Sequence, residues 1–354
     1  KKPLLITDRD LASSQMVSTA IETANEDGIK IGIFSEIKSN PVSKNIVDGV
    51  NFYRNGNFDG IIGWGGGSGI DAAKAIALMI DQSEPIWTFE DIGDNWVKAN
   101  TANIPPIVAV PTTSGTGSEV GRASVITDEE KQIKKVIFHP KMMPTRVICD
   151  PKLVSGLPSN LTAYTGMDAL IHCFEAYCAP GYHPMADGIA LEGMKLIATW
   201  LPKAFKDGHD LEARGHMMAA AAMGATAFQK GLGAIHSLSH PMSAFYDTHH
   251  GLANAVFMPY VVSYNHSVID QELISISRHL NLKVEGYTGV MDWILELCDT
   301  FKIPSNPREI GLQHSHIEKL AIMAANDPTA AGNPKPVNEL DMKALYNNAL
   351  REEI

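Results

Sequence analysis

The ten residues Gly-Gly-Gly-Ser-Gly-Ile-Asp-Ala-Ala-Lys, numbered 65–74, decide the fold class of the first half of the chain. They follow an apolar run at Asp59–Gly63, which predicts a buried strand, and they lead into Asp71–Ile80, which predicts a helix. Consecutive glycines let a ligand approach the backbone because no Cβ intervenes. The unsatisfied N–H groups and the dipole at the start of a helix attract an anion. The segment therefore predicts a pyrophosphate site, with a tight strand–helix turn that binds nothing as the alternative.

Alternating strands and helices surround this turn. Strands are predicted at Pro3–Thr7, Lys30–Phe34 and Pro106–Val110, helices at Asp10–Asp27 and Val42–Arg54, and further short strands within Val120–Asp150. Such an alternation is typical of a parallel sheet with helices on its faces. The first half of the chain is thus predicted to be an α/β nucleotide-binding domain.

The strand pattern ends after Leu157-Pro158. From Leu161 onward the sequence predicts about eight helices, with breaks at Pro180–Pro184, Pro202, Gly231–Gly233, Pro259 and Pro304. We therefore predict two domains: an α/β dinucleotide-binding domain over residues 1–156 and an all-helical domain over residues 157–354.

The composition excludes several classes of protein. Acidic residues outnumber basic ones by 40 to 29, and the net charge of −11 repels the phosphate backbone of nucleic acids. The longest apolar stretch, Met217–Phe228, is about twelve residues, which is too short to span a bilayer. The four cysteines form neither a disulfide framework nor a zinc-finger pattern. We expect a cytoplasmic protein without nucleic-acid or membrane partners.

A second polar segment, Pro111-Thr-Thr-Ser-Gly-Thr-Gly-Ser-Glu119, directly follows the predicted strand Pro106–Val110. Open α/β sheets bind ligands at the carboxyl ends of their strands, which is where these hydroxyls and glycines lie. A solvated loop is the alternative interpretation. The glycine turn has the spacing of neither the dinucleotide motif GxGxxG nor the P-loop, but the two segments together favour a nucleotide.

The second half of the chain contains a concentration of histidines. Asp168 and His172 are four residues apart in a predicted helix, and His236 and His240 repeat that spacing in another. Four residues are about one helical turn, so each pair lies on one face and is suited to bind a cation. The alternatives are ordinary hydrogen-bonded histidines or a pair on the surface of a helix. Because the neighbouring residues are strongly apolar, burial of these polar groups is costly, and a shared metal explains them most simply.

With these motifs the sequence resembles the iron-containing (group III) alcohol dehydrogenase family. The resemblance rests on Gly65–Lys74, Pro111–Val120, Gly166–Glu175 with its Asp-x-x-x-His, and His236–Asn254 with its His-x-x-x-His-Pro and His-Gly-x-Ala-Asn-Ala. It extends from the first strand to Asn333–Pro336, effectively over the whole chain. It implies a dehydroquinate synthase-like architecture, in which an N-terminal parallel-sheet nucleotide-binding domain precedes an all-α domain that binds metal and substrate.

The resemblance also implies roles for individual residues. A divalent metal, Fe(II) with Zn(II) as the alternative, is expected on Asp168, His172, His236 and His250. His240 is expected near the nicotinamide without binding the metal, as a residue that passes a proton to solvent. The expected cofactor contacts are Gly66, Gly67 and Ser68 at the pyrophosphate, Thr112, Thr113 and Thr116 on the nicotinamide side, and Ser35 and Lys134 near the ribose.

Two positions depart from the family pattern. Ser35 stands where NAD-preferring members often carry Asp, so we expect NAD to be used and NADP to be tolerated. Gly121 stands where Thr is common, and we assign it no cofactor contact. Family members usually have a further strand segment before the equivalent of Leu4. We therefore expect this sequence, which lacks an initiator Met, to begin inside a longer natural chain.

The implied activity is hydride transfer between a primary alcohol or diol and NAD(P), the reverse direction being aldehyde reduction, in a homodimer or higher homo-oligomer. A zinc-dependent glycerol dehydrogenase-like enzyme is the first alternative, because the ligand types do not exclude zinc. A dehydroquinate synthase-like lyase is the second, although residues 160–262 contain few Lys and Arg for an anionic substrate. A nucleotide-binding module without enzymatic activity is the third, and the metal-ligating set counts against it.

Overall fold

The structure is a computed structural model that describes all residues of the chain, Lys1–Ile354. The chain divides into two compact units. The first comprises Lys1–Thr113 and Ser118–Val154, and the second comprises Ser114–Gly117 and Ser155–Ile354. The segment 114–117 packs closely within the second unit, since a Cβ on Gly115 would lie only 2.7 Å from the carbonyl oxygen of Thr165. The functional roles predicted for residues 1–156 and 157–354 stay predictions.

The first unit is built on a five-stranded parallel sheet. The strands of the unit are β1 (Pro3–Ile6), β2 (Gly32–Phe34), β3 (Gly60–Gly65), β4 (Ile107–Pro111), β5 (Ala123–Asp128), β6 (Ile133–Phe138) and β7 (Arg146–Val147). The parallel sheet has the order β2-β1-β3-β4-β7, with Leu5 paired to Ile33 and Ile62, whereas β5 and β6 form a separate antiparallel pair. The helices are α1 (Arg9–Ala12), α2 (Gln15–Glu26), α3 (Ser43–Gly56) and α4 (Gly67–Met79).

Helix α4 begins at Gly67, four residues earlier than the sequence predicted. Glycine has a low helix propensity, so the sequence pattern favours a start after the glycines. In the structure nine of the thirteen residues of α4 are buried, and the helix packs against β3. Tertiary packing of this apolar helix outweighs the propensity of its first residues. The glycines therefore form the first turn of the helix rather than a loop before it.

The single helix predicted over Asp10–Asp27 is wrong, because the segment contains two helices, α1 and α2. Ser14 separates them: its side chain accepts a hydrogen bond from the backbone N–H of Val17 at 3.3 Å and makes Ser14 the N-cap of α2. Serine is among the preferred N-cap residues, so this restart has a local chemical cause.

The second unit contains nine α-helices, where the sequence predicted about eight. They are α5 (Ser159–Cys178), α6 (Pro184–Lys206), α7 (Leu211–Ala227), α8 (Ala234–Tyr246), α9 (His250–Asn265), α10 (Asp270–His279), α11 (Gly286–Thr300), α12 (Ile317–Ala325) and α13 (Glu339–Arg351). Together with the parallel sheet of the first unit, this helical part confirms the predicted fold class. No helix combines the length and apolar character that a membrane crossing requires.

Two of the predicted helix breaks are wrong. Pro202 lies inside α6 and Pro259 lies inside α9, whereas the breaks at Pro180–Pro184, Gly231–Gly233 and Pro304 are confirmed. A proline inside a helix costs about 3 kcal/mol through a lost hydrogen bond and a steric clash. Leu201, directly before Pro202, and Met258, directly before Pro259, are both 0% exposed, and this packing holds each helix continuous.

Helix α5 runs through the core of the second unit, with 15 of its 20 residues buried. Besides two cysteines, three of these buried residues are ionisable: Asp168, His172 and Glu175. A buried charge is costly unless it is paired, hydrogen-bonded or coordinated to a metal. These three residues therefore mark the candidate functional site of the second unit.

Candidate functional site

Three helices of the second unit bring the four predicted metal ligands together. Asp168 and His172 lie one turn apart on α5, His236 lies on α8, and His250 is the first residue of α9. The Oδ1 atom of Asp168 is 3.8 Å from Nε2 of His172, 3.9 Å from Nε2 of His236 and 3.6 Å from Nε2 of His250. The ligand atoms of Asp168, His172 and His236 all lie within 4.8 Å of one another, and His250 is placed beside this group through its distance to Asp168. Nitrogen and oxygen ligands lie about 2.0–2.2 Å from a bound ion such as zinc, so the group of three is within reach of a single ion.

Burial gives His172 the protonation state that suits metal binding. Burial lowers the pKa of His172 to about 4, against the attraction of the Asp168 carboxylate. His172 is therefore neutral at pH 7, which is the form of imidazole that binds metals. Burial also disfavours a charge on His236, but the hydrogen bond and negative charge of Glu175, with the charge of Asp168, raise the pKa of His236 overall. One carboxylate with three imidazoles is a donor set that fits Fe(II) or Zn(II).

Glu175 adds a contact that was not predicted from the sequence. Its Oε2 atom lies 2.6 Å from Nδ1 of His236, and its Oε1 atom accepts a hydrogen bond from the backbone N–H of Ile235 at 2.7 Å. Glu175 is seven residues after Asp168 on α5, so helical spacing puts the two residues and His172 on the same face. The helical spacing of these three residues was thus already visible in the segment Gly166–Glu175.

Asn254 is a second residue that sequence reasoning missed. Its Nδ2 atom donates to Oδ1 of Asp168 at 2.8 Å and lies 3.2 Å from Nε2 of both His236 and His250. Its own Oδ1 atom is buried and has no hydrogen-bond partner in the protein. Asn254 follows His250 by four residues on α9, so the spacing offered a signal here too. The amide orients the carboxylate of Asp168 toward the three imidazoles.

His240 lies beside this set and has its own carboxylate partner. Its ring is stacked on that of His250 with centroids 5.2 Å apart, and its Nδ1 atom lies 2.8 Å from Oδ2 of Asp327. The other oxygen of Asp327 accepts hydrogen bonds from the backbone N–H and the hydroxyl of Thr329. Burial opposes ionisation of Asp327, but the charge of His240 and these hydrogen bonds lower its pKa overall. No local pattern in the sequence pointed to Asp327, which is 87 residues from His240.

In the first unit, the glycine turn and the end of β4 lie side by side. The backbone N–H of Thr112 donates to the carbonyl of Gly65 at 2.9 Å, and a Cβ on Gly66 would lie 3.3 Å from Cγ2 of Thr113. Gly66 is the N-cap of α4, and no side chain caps this helix. The amides of its first turn are therefore available to an anion, which fits the pyrophosphate of a dinucleotide.

The remaining predicted cofactor residues lie on other segments. Ser35 directly follows β2 and is half-buried, and Lys134 lies on β6 opposite Thr127. Thr116 belongs to the segment that packs in the second unit. Ser68 at the start of α4 donates to the carbonyl of Ser39, so the chain that follows Ser35 approaches the glycine turn.

The charged residues next to Ser35 form surface ion pairs. Glu36 is paired with Arg9, and the hydrogen bond from that guanidinium lowers the pKa of Glu36. Lys38 is paired with Glu129 at 3.5 Å. Both pairs join exposed side chains, so each contributes little to holding these charges in place.

Comparison with known proteins agrees with this arrangement. Residues 1–151 match the family described as iron-containing alcohol dehydrogenase, and residues 162–350 match the C-terminal part of the Fe-containing alcohol dehydrogenase family. The chain is 35% identical to 4-hydroxybutyrate dehydrogenase of Cupriavidus necator, with 99% of the chain and 92% of that relative covered. It is also 35% identical to NAD-dependent methanol dehydrogenase of Bacillus methanolicus, with the same coverage.

A solved structure is equally similar. The crystal structure of 1,3-propanediol oxidoreductase superposes with a TM-score of 0.92 at 34% identity, covering 99% of this chain and 92% of the other. The match therefore extends over both units and includes every motif on which the site is built. The chain belongs to the iron-containing alcohol dehydrogenase family, whose members are oxidoreductases that act on alcohols with a metal ion and a nicotinamide-type cofactor.

Proposed function

We propose that this protein is a primary-alcohol or diol dehydrogenase that holds one divalent metal ion on Asp168, His172, His236 and His250. The observation that carries this proposal is the convergence of the Asp168 carboxylate with three imidazole Nε2 atoms at 3.6–3.9 Å. Fe(II) is the proposed ion, and Zn(II) is the alternative because it accepts the same ligands. A bound metal ion supplies a Lewis acid for the substrate oxygen, and a bound nicotinamide supplies the hydride acceptor.

The first unit is proposed to bind NAD. The amides of Gly66, Gly67 and Ser68 at the start of α4 hold the pyrophosphate, because the helix dipole and the uncapped N–H groups favour an anion there. Thr112, Thr113 and Thr116 are proposed for the nicotinamide side, and Ser35 and Lys134 for the ribose. Because Ser35 carries no charge to repel a 2′-phosphate, NADP is tolerated.

His240 is proposed to move the hydroxyl proton. The carboxylate of Asp327 accepts the Nδ1 proton of His240, which leaves Nε2 as the basic atom of the ring. Stacking on His250 keeps that ring beside the proposed metal ligands. A positioned imidazole can take a proton from a reacting alcohol and pass it on, which is general base catalysis.

The substrate class follows from the relatives. Methanol, 4-hydroxybutyrate and 1,3-propanediol, which name three of them, all carry a hydroxyl on a carbon that has at least two hydrogens. A terminal alcohol or diol is therefore the proposed substrate. The NAD-dependent methanol dehydrogenase among these relatives supports NAD as the cofactor.

The test is an absorbance assay of reduced nicotinamide on metal-depleted protein that is reloaded anaerobically with Fe(II) or with Zn(II). We expect turnover of 1,3-propanediol or ethanol with NAD, and no turnover and no bound metal in His250→Ala. Activity with Zn(II) alone would replace the iron assignment. Full activity and unchanged metal content in both His250→Ala and His172→Ala would contradict the proposed metal site.

A further inference from the structure

Helix α8, which carries His236 and His240, begins without a capping side chain of its own because its N-cap is Gly233. Two distant residues take that role. Oδ1 of Asn333 accepts a hydrogen bond from the N–H of Ala234 at 3.1 Å, and Oε1 of Glu175 accepts one from the N–H of Ile235 at 2.7 Å. A Cβ on Gly233 would lie 2.9 Å from the Asn333 oxygen and 3.0 Å from the Glu175 oxygen. The glycine thus leaves room for a carboxylate and an amide at the start of the helix.

The second oxygen of Glu175 points to a further role. Oε2 lies 2.6 Å from Nδ1 of His236, and both side chains are at most 5% exposed. An ionised carboxylate accepts hydrogen bonds and donates none. When it faces a neutral His236, the proton of the ring is therefore on Nδ1. The lone pair of Nε2 then lies on the side of the ring that faces Asp168, 3.9 Å away, where its contact in the protein is Nδ2 of Asn254 at 3.2 Å.

We propose that Glu175 is a positioning residue, which selects the Nδ1–H tautomer of His236 and keeps Nε2 available to the metal ion. The inference rests on the proposed function, in which His236 binds that ion. Histidines that bind metals commonly donate their other N–H to a carboxylate, and loss of that partner lowers metal affinity about 10- to 100-fold. The same carboxylate also anchors the start of α8, which couples the orientation of the ring to the position of its helix.

Glu175→Gln tests both contacts of Glu175, with the N–H of Ile235 and with Nδ1 of His236. Glutamine offers these two donors a single acceptor oxygen. If that oxygen keeps the bond to Ile235, the NH₂ group faces Nδ1 of His236 and moves the ring proton to Nε2, where the metal ion must bind. In the opposite orientation the NH₂ group faces the N–H of Ile235, and the cap is lost. Restoring the metal-binding tautomer therefore always costs a hydrogen bond in the variant.

The experiment measures the affinity of metal-free protein for Co²⁺ by competition with a chromophoric chelator, together with the visible spectrum of bound Co²⁺. We expect Glu175→Gln to bind Co²⁺ about 10- to 100-fold more weakly than the wild type. Asn333→Ala is the control: it removes the neighbouring cap on Ala234, together with the bonds of Asn333 to Asn265 and Lys335, and leaves the bond between Glu175 and His236. We expect this control to lower the melting temperature but to keep Co²⁺ affinity within about threefold.

Two results would overturn the inference: wild-type Co²⁺ affinity in Glu175→Gln, or a loss in Asn333→Ala as large as that in Glu175→Gln. The second result would mean that Glu175 acts only through the start of the helix. Circular dichroism checks folding, and Glu175→Asp provides a second variant, since a carboxylate one methylene shorter does not reach both donors. Loss of the bond to His236 in this variant should lower Co²⁺ affinity at least about tenfold, and wild-type affinity in a variant whose crystal structure shows that bond lost counts equally against the inference.

His250→Ala distinguishes failure of the inference from failure of the proposed function. If His250→Ala retains stoichiometric, tight Co²⁺ binding, the proposed metal site itself is wrong. If His250→Ala loses Co²⁺ while Glu175→Gln binds it normally, the metal site stands and only the role of Glu175 is wrong.

Discussion

Asp327→Asn tests whether the pair of Asp327 and His240 transfers the substrate proton. In the wild type one oxygen of Asp327 accepts from Nδ1 of His240 at 2.8 Å, and the other accepts from the N–H of Thr329 at 2.9 Å and its hydroxyl at 2.6 Å. Asparagine retains a single oxygen, and the two donors of Thr329 compete for it. The NH₂ group then faces His240 and places the ring proton on Nε2, the atom proposed to act as the base.

The expected loss of activity follows from the free energy needed to rotate the asparagine amide of Asp327→Asn, so that its oxygen again faces His240. Turning it leaves the partly buried N–H of Thr329 opposite another donor, which costs about 1–2 kcal/mol, in the lower part of the range for a buried unsatisfied group. A cost of this size corresponds to a loss of about 5- to 30-fold in kcat/KM. The loss is smaller than that from removing the base altogether, which is about 10²- to 10⁴-fold.

The assay follows reduced nicotinamide with 1,3-propanediol and NAD, after metal analysis has shown that Asp327→Asn binds as much metal as the wild type. Thr329→Val is the matched control, because it removes the hydroxyl that bonds the far oxygen of Asp327 and the hydroxyl of Ser237, and leaves the bond between Asp327 and His240. We expect the control to retain activity within about threefold. A kcat/KM of Asp327→Asn within a factor of about two of the wild type would refute the assigned tautomer or the role of His240.

Three further predictions concern the base, the glycine turn and the cofactor preference. His240→Ala should keep its metal and lose about 10²- to 10⁴-fold in activity, and metal analysis showing a lost ion would instead make His240 a ligand. Gly67→Val puts a branched side chain in the first turn of α4 and should raise the Kd for NAD without changing metal content; calorimetry that finds an unaltered Kd would assign the turn a structural role only. The wild type should prefer NAD over NADP by less than about 100-fold, and Ser35→Asp should sharpen that preference through repulsion of the 2′-phosphate. Comparing kcat/KM for both cofactors checks this, and strict NAD selectivity that Ser35→Asp does not alter would place the discrimination elsewhere.

Some features of this protein depend only on the spacing of residues within one segment of the chain, and these features were predictable from the sequence. The strand, glycine turn and helix from Asp59 to Ile80 show the alternation that defines a parallel α/β sheet. The spacing of Asp168 and His172 indicates one helical face, because four residues make about one turn. Glu175 and Asn254 have the same kind of helical relation to Asp168 and His250, so spacing could have identified them as well.

Other features depend on packing between distant segments. The early start of α4 at Gly67 and the passage of α9 through Pro259 contradict local propensity, because burial of the surrounding apolar residues outweighs it. Asp327 reaches His240 across 87 residues, and Asn333 reaches the start of α8 across 99 residues. Sequence spacing reports which residues share a face of one helix, whereas these partners are decided by how separate helices and loops pack. The sequence therefore determined the fold class and, through its family resemblance, the proposed ligand set, and only the tertiary structure decided which carboxylates and amides hold those histidines in place.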